Sequence, residues 1–186
     1  MGDFWVFGYG SLIWRPGFAH VETQRARLFG YRRALCVYSF VHRGTPERPG
    51  LVLGLDRGGS CVGLAFRVAG DLRGEVIAYL RAREQVTQVY LERMPDVRLE
   101  SGESAAAVAY IADRRHRQYA GALDEADAAA VVAGAAGQSG RNEDYVLSTV
   151  AHLEALGIRD RWVEGGARPG APPGEESRAK SPSNPW

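Results

Sequence analysis

Residues 7–14 read FGYGSLIW and bring two glycines, a tyrosine and a serine to the end of an apolar run. A glycine-permitted bend of this kind lets consecutive backbone N–H groups converge on one anion, and a carboxylate is a natural guest. Better-known glycine and serine motifs do not fit. Gly8-Tyr9-Gly10 opens like a dinucleotide fingerprint, but Ile13 stands where the third glycine belongs and Pro16 blocks the helix that would receive a pyrophosphate. A Gly-x-Ser-x-Gly elbow around Ser11 fails at the same Ile13. The chain contains no P-loop sequence. Glycine turns outnumber anion-binding nests, so the pattern by itself reads first as a structural bend.

A second candidate is the carboxylate that ends EVIAYLRARE. Val76, Leu80 and Glu84 stand at i, i+4 and i+8, which puts Glu84 on the apolar stripe of a helix. Burial there would raise its pKa toward the range of a general base. The plainer alternative pairs Glu84 with Arg81 or Arg83, or lets the helix fray outward first. Two loops complete the set. In VHRGTPERPGLVLGL, Arg43 could hold an anion, or the segment could simply join two strands. In GQSGRNEDY, Tyr145 falls in the first turn of a helix, where a tyrosine is usually packing whose hydroxyl finds a partner.

These residues need elements to position them. The first half is strand-like at 4–8, 25–31, 33–41, 51–55 and 61–68, short aromatic or β-branched runs divided by glycine, proline and charge. Several runs are apolar on both faces, which suits a barrel or a helix-covered sheet. A helix follows, with Asp71 as its cap and Val76, Ile77 and Leu80 as its core stripe. Strands are expected at 89–100 and 104–112, then an alanine-rich helix closed by Gly137. Asn142 would cap a last helix whose apolar face is Val146, Thr149, Val150, Leu153 and Leu156, with Gly157 as its stop. The order of elements is that of an α+β fold, mixed or mostly antiparallel.

The chain has 186 residues and a net charge of +1, enough length for one sizeable core and no electrostatic footprint for nucleic acid or a membrane surface. The run Arg114-Arg115-His116-Arg117 reads as a solvated loop. Cys36 and Cys61 lie inside apolar runs and read as small buried residues. The four histidines (His20, His42, His116, His152) are scattered, so no metal and no cofactor are expected. With no leader and no apolar run of membrane-spanning length, the expected address is cytoplasmic. Residues 165–186, rich in proline, glycine and serine, are expected to be a disordered tail after a single catalytic domain at 1–164.

Taken in order, FGYGSLIW (7–14), HRGTPERPG (42–50) with LVLGL, YLRARE ending at Glu84, and GQSGRNEDYV (137–146) resemble the ChaC-type γ-glutamylcyclotransferases, which act on glutathione. The resemblance runs from about Phe4 to about Trp162 and favours the functional readings of the bend and of Glu84. It implies a small mixed, mostly antiparallel β-barrel flanked by helices, with the glycine loop at the barrel mouth. Gly8, Tyr9, Gly10, Ser11, Leu12 and Ile13 would hold the γ-glutamyl part of the substrate, and Glu84 would be the catalytic acid/base. Tyr145 would border the pocket with support from Arg43. The implied reaction releases 5-oxoproline, and from glutathione also cysteinylglycine. The same reaction on another γ-glutamyl amine or amino acid, or a binder without turnover, are the alternatives. Many eukaryotic members follow Arg-Glu with Gly-Gly-Tyr; here Gln85-Val86-Thr87-Gln88-Val89-Tyr90 follows Glu84, a bulkier segment beside the catalytic position.

Overall fold

The computed structural model describes residues 2–160 together with Val163; the stretch expected as a tail lies outside the described residues. Strands β1 (Phe4–Gly8), β2 (Glu22–Ser39), β3 (Gly50–Val68), β4 (Tyr90–Arg93), β5 (Asp96–Leu99) and β6 (Ser104–Ala112) form one sheet. Five of them run in the order β1-β3-β2-β5-β6, and a parallel β1–β6 pairing closes these into a barrel. β4 adds to β6 as a sixth strand, and the remaining pairings in this sheet are antiparallel. Closure explains why β1 is apolar on both faces. Trp5 and Phe7 pack into the cluster built by Leu28, Leu55 and Ala109, while Phe4 and Val6 meet Val76 and Leu80 of helix α1 (Arg73–Glu84). Each large side chain buried this fully contributes roughly 1.5–3 kcal/mol.

The four strands expected at 25–31, 33–41, 51–55 and 61–68 are two, β2 and β3, paired almost from end to end. The glycines taken as breaks are irregularities inside a continuous ladder. Register shifts fall at Phe29/Tyr31 and Leu35/Val37, and Gly30, Gly58 and Gly59 take φ of +82°, +102° and +70° around the first of them. The reverse holds for 89–100. Pro95 has no N–H to give a ladder, so β4 and β5 lie along β6 as two short pieces.

The helices differ from expectation mainly at their ends. Asp71 does not cap α1; it sits in a 3-10 turn, Gly70–Leu72, that leads into it. Helix α2 (Glu125–Val132) is capped by Asp124, whose carboxylate accepts from the Asp127 N–H at 2.8 Å. It stops before Gly134 at φ +69°, not at Gly137, which lies in a two-residue hairpin of β7 (Ala136–Gly137) and β8 (Gly140–Arg141). Helix α3 (Asn142–Ala155) buries Val146, Thr149 and Leu153 but leaves Leu156 exposed. Gly157 ends it as expected, its N–H donating to Glu154 and that of Ile158 to Leu153. Arg114 of the basic run is not merely solvated, because its Nε donates at 2.7 Å to Asp56, itself 1% exposed. Cys36 and Cys61 are buried and free, and burial pushes their thiols up to about 12 and about 11.

Asn142 is the largest departure. It does not cap α3. Fully buried, its Oδ1 accepts from the Leu51 N–H at 2.6 Å and its Nδ2 donates to the Leu51 carbonyl at 2.7 Å. Over this stretch β3 pairs with β2 on one edge and β1 joins only from Leu64 onward, so the other edge has backbone groups to satisfy. One carboxamide does the work of a neighbouring strand. Gly50 makes the approach possible, since a Cβ there would lie 2.2 Å from the Arg43 carbonyl and 2.7 Å from Asn142 Oδ1. Replacing Asn142 by leucine strands one buried donor and one buried acceptor, each worth about 1–3 kcal/mol. The Asn142→Leu protein should lose about 3 kcal/mol or more in urea unfolding, with little loss for a change at an exposed residue of the same helix, Glu154→Gln.

Candidate active site

The glycine bend is tied to a different element at each residue. β1 ends at Gly8, which lies opposite Leu64, and a 3-10 turn over Ser11–Ile13 follows. The Tyr9 carbonyl accepts from Arg33 Nε at 2.6 Å. Leu12 inserts among Val76 and Leu80, and Ile13 packs on Leu153 and Ile158. Ser11 Oγ accepts from an Arg83 guanidinium N–H at 2.8 Å. The Ile13 N–H closes the turn on the Gly10 carbonyl at 2.9 Å. The N–H groups of Gly10, Ser11 and Leu12 donate to no acceptor among the described residues.

A cavity of about 610 Å³ opens over this bend, a size suited to a small-molecule ligand. Tyr9, Gly10, Ser11, Leu12, Arg43, Glu84 and Tyr145 all line it, so seven of the nine residues singled out in the sequence come together. Gly8 and Ile13 do not reach the cavity; they build the bend from below.

Glu84 ends α1 with its side chain 17% exposed. Arg83 Nε lies 3.2 Å from its Oε1, so the pairing alternative is realised, and the paired carboxylate still lines the cavity. Arg81 faces away, to Glu92. The Arg83 guanidinium also donates to the Arg15 carbonyl at 2.6 Å, the Tyr79 hydroxyl at 2.9 Å and Ser11. One cation therefore fixes both the carboxylate and the bend. Burial raises the Glu84 pKa above its ordinary value, and the charge and hydrogen bond of Arg83 offset part of that rise. The result is a carboxylate more basic than usual and still ionisable.

Three phenols surround it. Burial holds Tyr9 and Tyr90 well above the ordinary tyrosine value and pushes Tyr145 up to about 12, so all three are neutral near pH 7. Tyr145 accepts from the Leu53 N–H at 3.2 Å, which leaves its own proton for a ligand. Tyr90 donates to the Leu53 carbonyl at 2.7 Å. Asn142 and Tyr145, three residues apart on α3, thus serve Leu51 and Leu53, two apart on β3. Arg43 lies 5.3 Å from the Tyr145 ring centroid, over its face, and donates to the Arg141 carbonyl.

Arg33 and Tyr90 escaped the sequence reading, which named Arg83 as a possible ion-pair partner of Glu84 but not as a tie to the bend. Arg33 is 2% exposed and donates to Tyr9, to Val62 at 2.7 Å and to Asp160 at 2.8 Å. Its one signal was a charge at the start of an apolar strand run. Tyr90 carried no signal. Among the described residues no group of three or more His, Cys, Asp or Glu side chains could hold a metal. The arrangement can bind a carboxylate in the bend and move one proton at Glu84.

Known proteins are similar to this chain in sequence and in fold. The model of the family described as ChaC-like protein matches residues 4–165. The glutathione-specific gamma-glutamylcyclotransferase of Escherichia coli (strain K12) is 34% identical over 86% of this chain and 69% of its own length. Gamma-glutamylcyclotransferase 2-3 of Arabidopsis thaliana is 33% identical over 86% and 84%. In structure, a glutathione-specific γ-glutamylcyclotransferase from yeast superimposes with a TM-score of 0.80 at 22% identity, over 90% of this chain and 95% of that one.

The balance of burial against Arg83 is measurable without any substrate. In carboxyl-resolved 13C NMR, Glu84 should titrate above the ordinary glutamate value of about 4.3. Because Arg83 lowers that pKa, Arg83→Gln should move the midpoint further up, and Arg83→Lys should move it less.

Proposed function

This chain belongs to the ChaC-like family, and we propose that it is a γ-glutamylcyclotransferase that cleaves glutathione to 5-oxoproline and cysteinylglycine. The observation that carries the reading is the common cavity, in which a carboxylate of raised pKa and a bend with free N–H groups are held by one arginine. The relatives named above support the substrate class.

The substrate α-carboxylate sits on the N–H groups of Ser11 and Leu12. This anchor bends the glutamyl chain so that its α-amine faces its own γ-carbonyl. Free α-amines have a pKa of about 8, so the attacking amine must first lose a proton. Glu84 takes it. Nitrogen then attacks the γ-carbon, closing a five-membered lactam, and the amide C–N bond breaks. Glu84 returns the proton to the departing nitrogen, and the second proton of the attacking nitrogen follows the same route, so the lactam keeps one N–H and cysteinylglycine leaves with a protonated amine. No protein nucleophile is required, and Ser11, whose oxygen accepts from Arg83, serves as structure. Orienting an intramolecular attack contributes roughly 7–11 kcal/mol at best, which is where a rigid bend has its value. Tyr145 borders the reacting group with a hydroxyl proton to donate, and Arg43 steadies its ring.

We assign the protein to the cytoplasm, with a small γ-glutamyl peptide as partner rather than nucleic acid or a membrane. Two free, buried cysteines suit a reducing compartment, and among the described residues no helix is long and apolar enough to cross a membrane.

Purified protein incubated with reduced glutathione should yield 5-oxoproline and cysteinylglycine in equal amounts. Glu84→Gln keeps the shape but cannot accept the proton, so kcat should fall by about 10²–10⁴ with unchanged unfolding. The acid limb of kcat/KM should lie above the ordinary carboxylate range, since activity needs ionised Glu84 and disappears as pH falls through its raised pKa. Near-normal turnover by Glu84→Gln would refute the assignment.

A further inference from the structure

A second cavity, of about 440 Å³, continues from the first past Glu84. His42, Val52, Arg83, Glu84 and Tyr90 line both, so the carboxylate stands at the junction. Beyond it the walls are mostly apolar, with Val37 and Val89 beside Ser39 and Thr87, and the turn His116–Gln118 forms one border. Glu84 is the single acidic residue in this lining, while Arg117 and His116 lie on that border turn.

The turn is built to hold its shape. The Tyr38 N–H donates to the Gln118 carbonyl at 2.8 Å, and the Gln118 side chain donates to the Tyr38 carbonyl at 2.9 Å. Ala120 donates to Cys36, and Val37 bridges Tyr119. His116 Nδ1 accepts from the Gln118 N–H at 3.2 Å, which leaves Nε2 to carry the ring proton and donate. Arg114 and Arg115 are paired with Asp56 and Asp113. Arg117 has no ion-pair partner among the described residues.

We propose that this cavity receives the part of the substrate beyond the scissile amide, and that Arg117, with His116 beside it, takes that part's terminal carboxylate. The inference rests on the cyclotransferase reading above and adds to it a specificity residue: Arg117 selects a leaving group with a free C-terminal carboxylate over a simple amine or a carboxamide. A small amine would leave the apolar walls unfilled and the cation without a counter-charge. The leaving nitrogen starts at Glu84 and the far end lies at Arg117, so the two charged residues bracket the leaving peptide.

The test compares glutathione with its glycine carboxamide, which has the same size and lacks the terminal charge, using the full chain and 5-oxoproline as readout. Wild type should prefer glutathione about tenfold in kcat/KM, carried by KM. Arg117→Gln should bring that ratio close to one and Arg117→Lys should keep part of it. Arg115→Gln, one residue before that turn and outside the cavity lining, should retain the wild-type ratio. Equal use of the two compounds by wild type, or an unchanged preference in Arg117→Gln, would overturn the assignment of Arg117 while leaving the cyclotransferase reading intact. Release of 5-oxoproline from neither compound would remove that reading and this inference with it.

Discussion

The site depends on an unpaired edge. Where β3 runs from Leu51 to Leu53 it has a strand partner on one side only, and the outward backbone groups would be costly if buried alone. Asn142, Tyr145 and Tyr90 satisfy all four of them. That constraint brings α3 against the barrel, sets Tyr145 and Tyr90 on the cavity wall, and leaves room between helix and strand for a ligand. A seventh strand at this edge would satisfy the same backbone groups and fill that room.

Two arginines then fix the rest. Arg33 is nearly inaccessible, and its three donors reach the Tyr9 carbonyl, the Val62 carbonyl and Asp160. A buried charge is tolerated when paired and fully hydrogen-bonded, and here the pairing is also what holds the bend to the sheet. Arg83 joins the bend to the end of α1. Its closeness to Glu84 limits how far burial can raise that carboxyl. A wholly apolar surround would favour the protonated acid, which cannot take a proton. A wholly exposed one would leave a weaker base. The site lies between.

Much of this was legible in residue order. Apolar residues on both faces, Trp5/Phe7 against Phe4/Val6, signalled a sheet covered on both sides, and the spacing of Val76, Leu80 and Glu84 placed the carboxylate on its helix. What misled were residues with two uses. Glycine divides strands but also permits bulges, so 25–41 and 51–68 read as four strands when they are two. Asparagine caps helices but also mimics a peptide group, and Asn142 does the second. Arg33 and Tyr90 could not be found because their roles come from partners far away in the chain, Asp160 and Leu53, and no local pattern records such pairings.

The claim on which the account turns is that the bend and Glu84 engage one γ-glutamyl group together, the bend its α-carboxylate and Glu84 its α-amine. A crystal structure with glutaryl-cysteinylglycine, which keeps the anchoring carboxylate but lacks the attacking amine, tests it most directly. The account predicts that carboxylate about 3 Å from the N–H groups of Ser11 and Leu12, with the position of the missing amine facing Glu84. A carboxylate bound at Arg43 instead, with the amide turned away from Glu84, would contradict it.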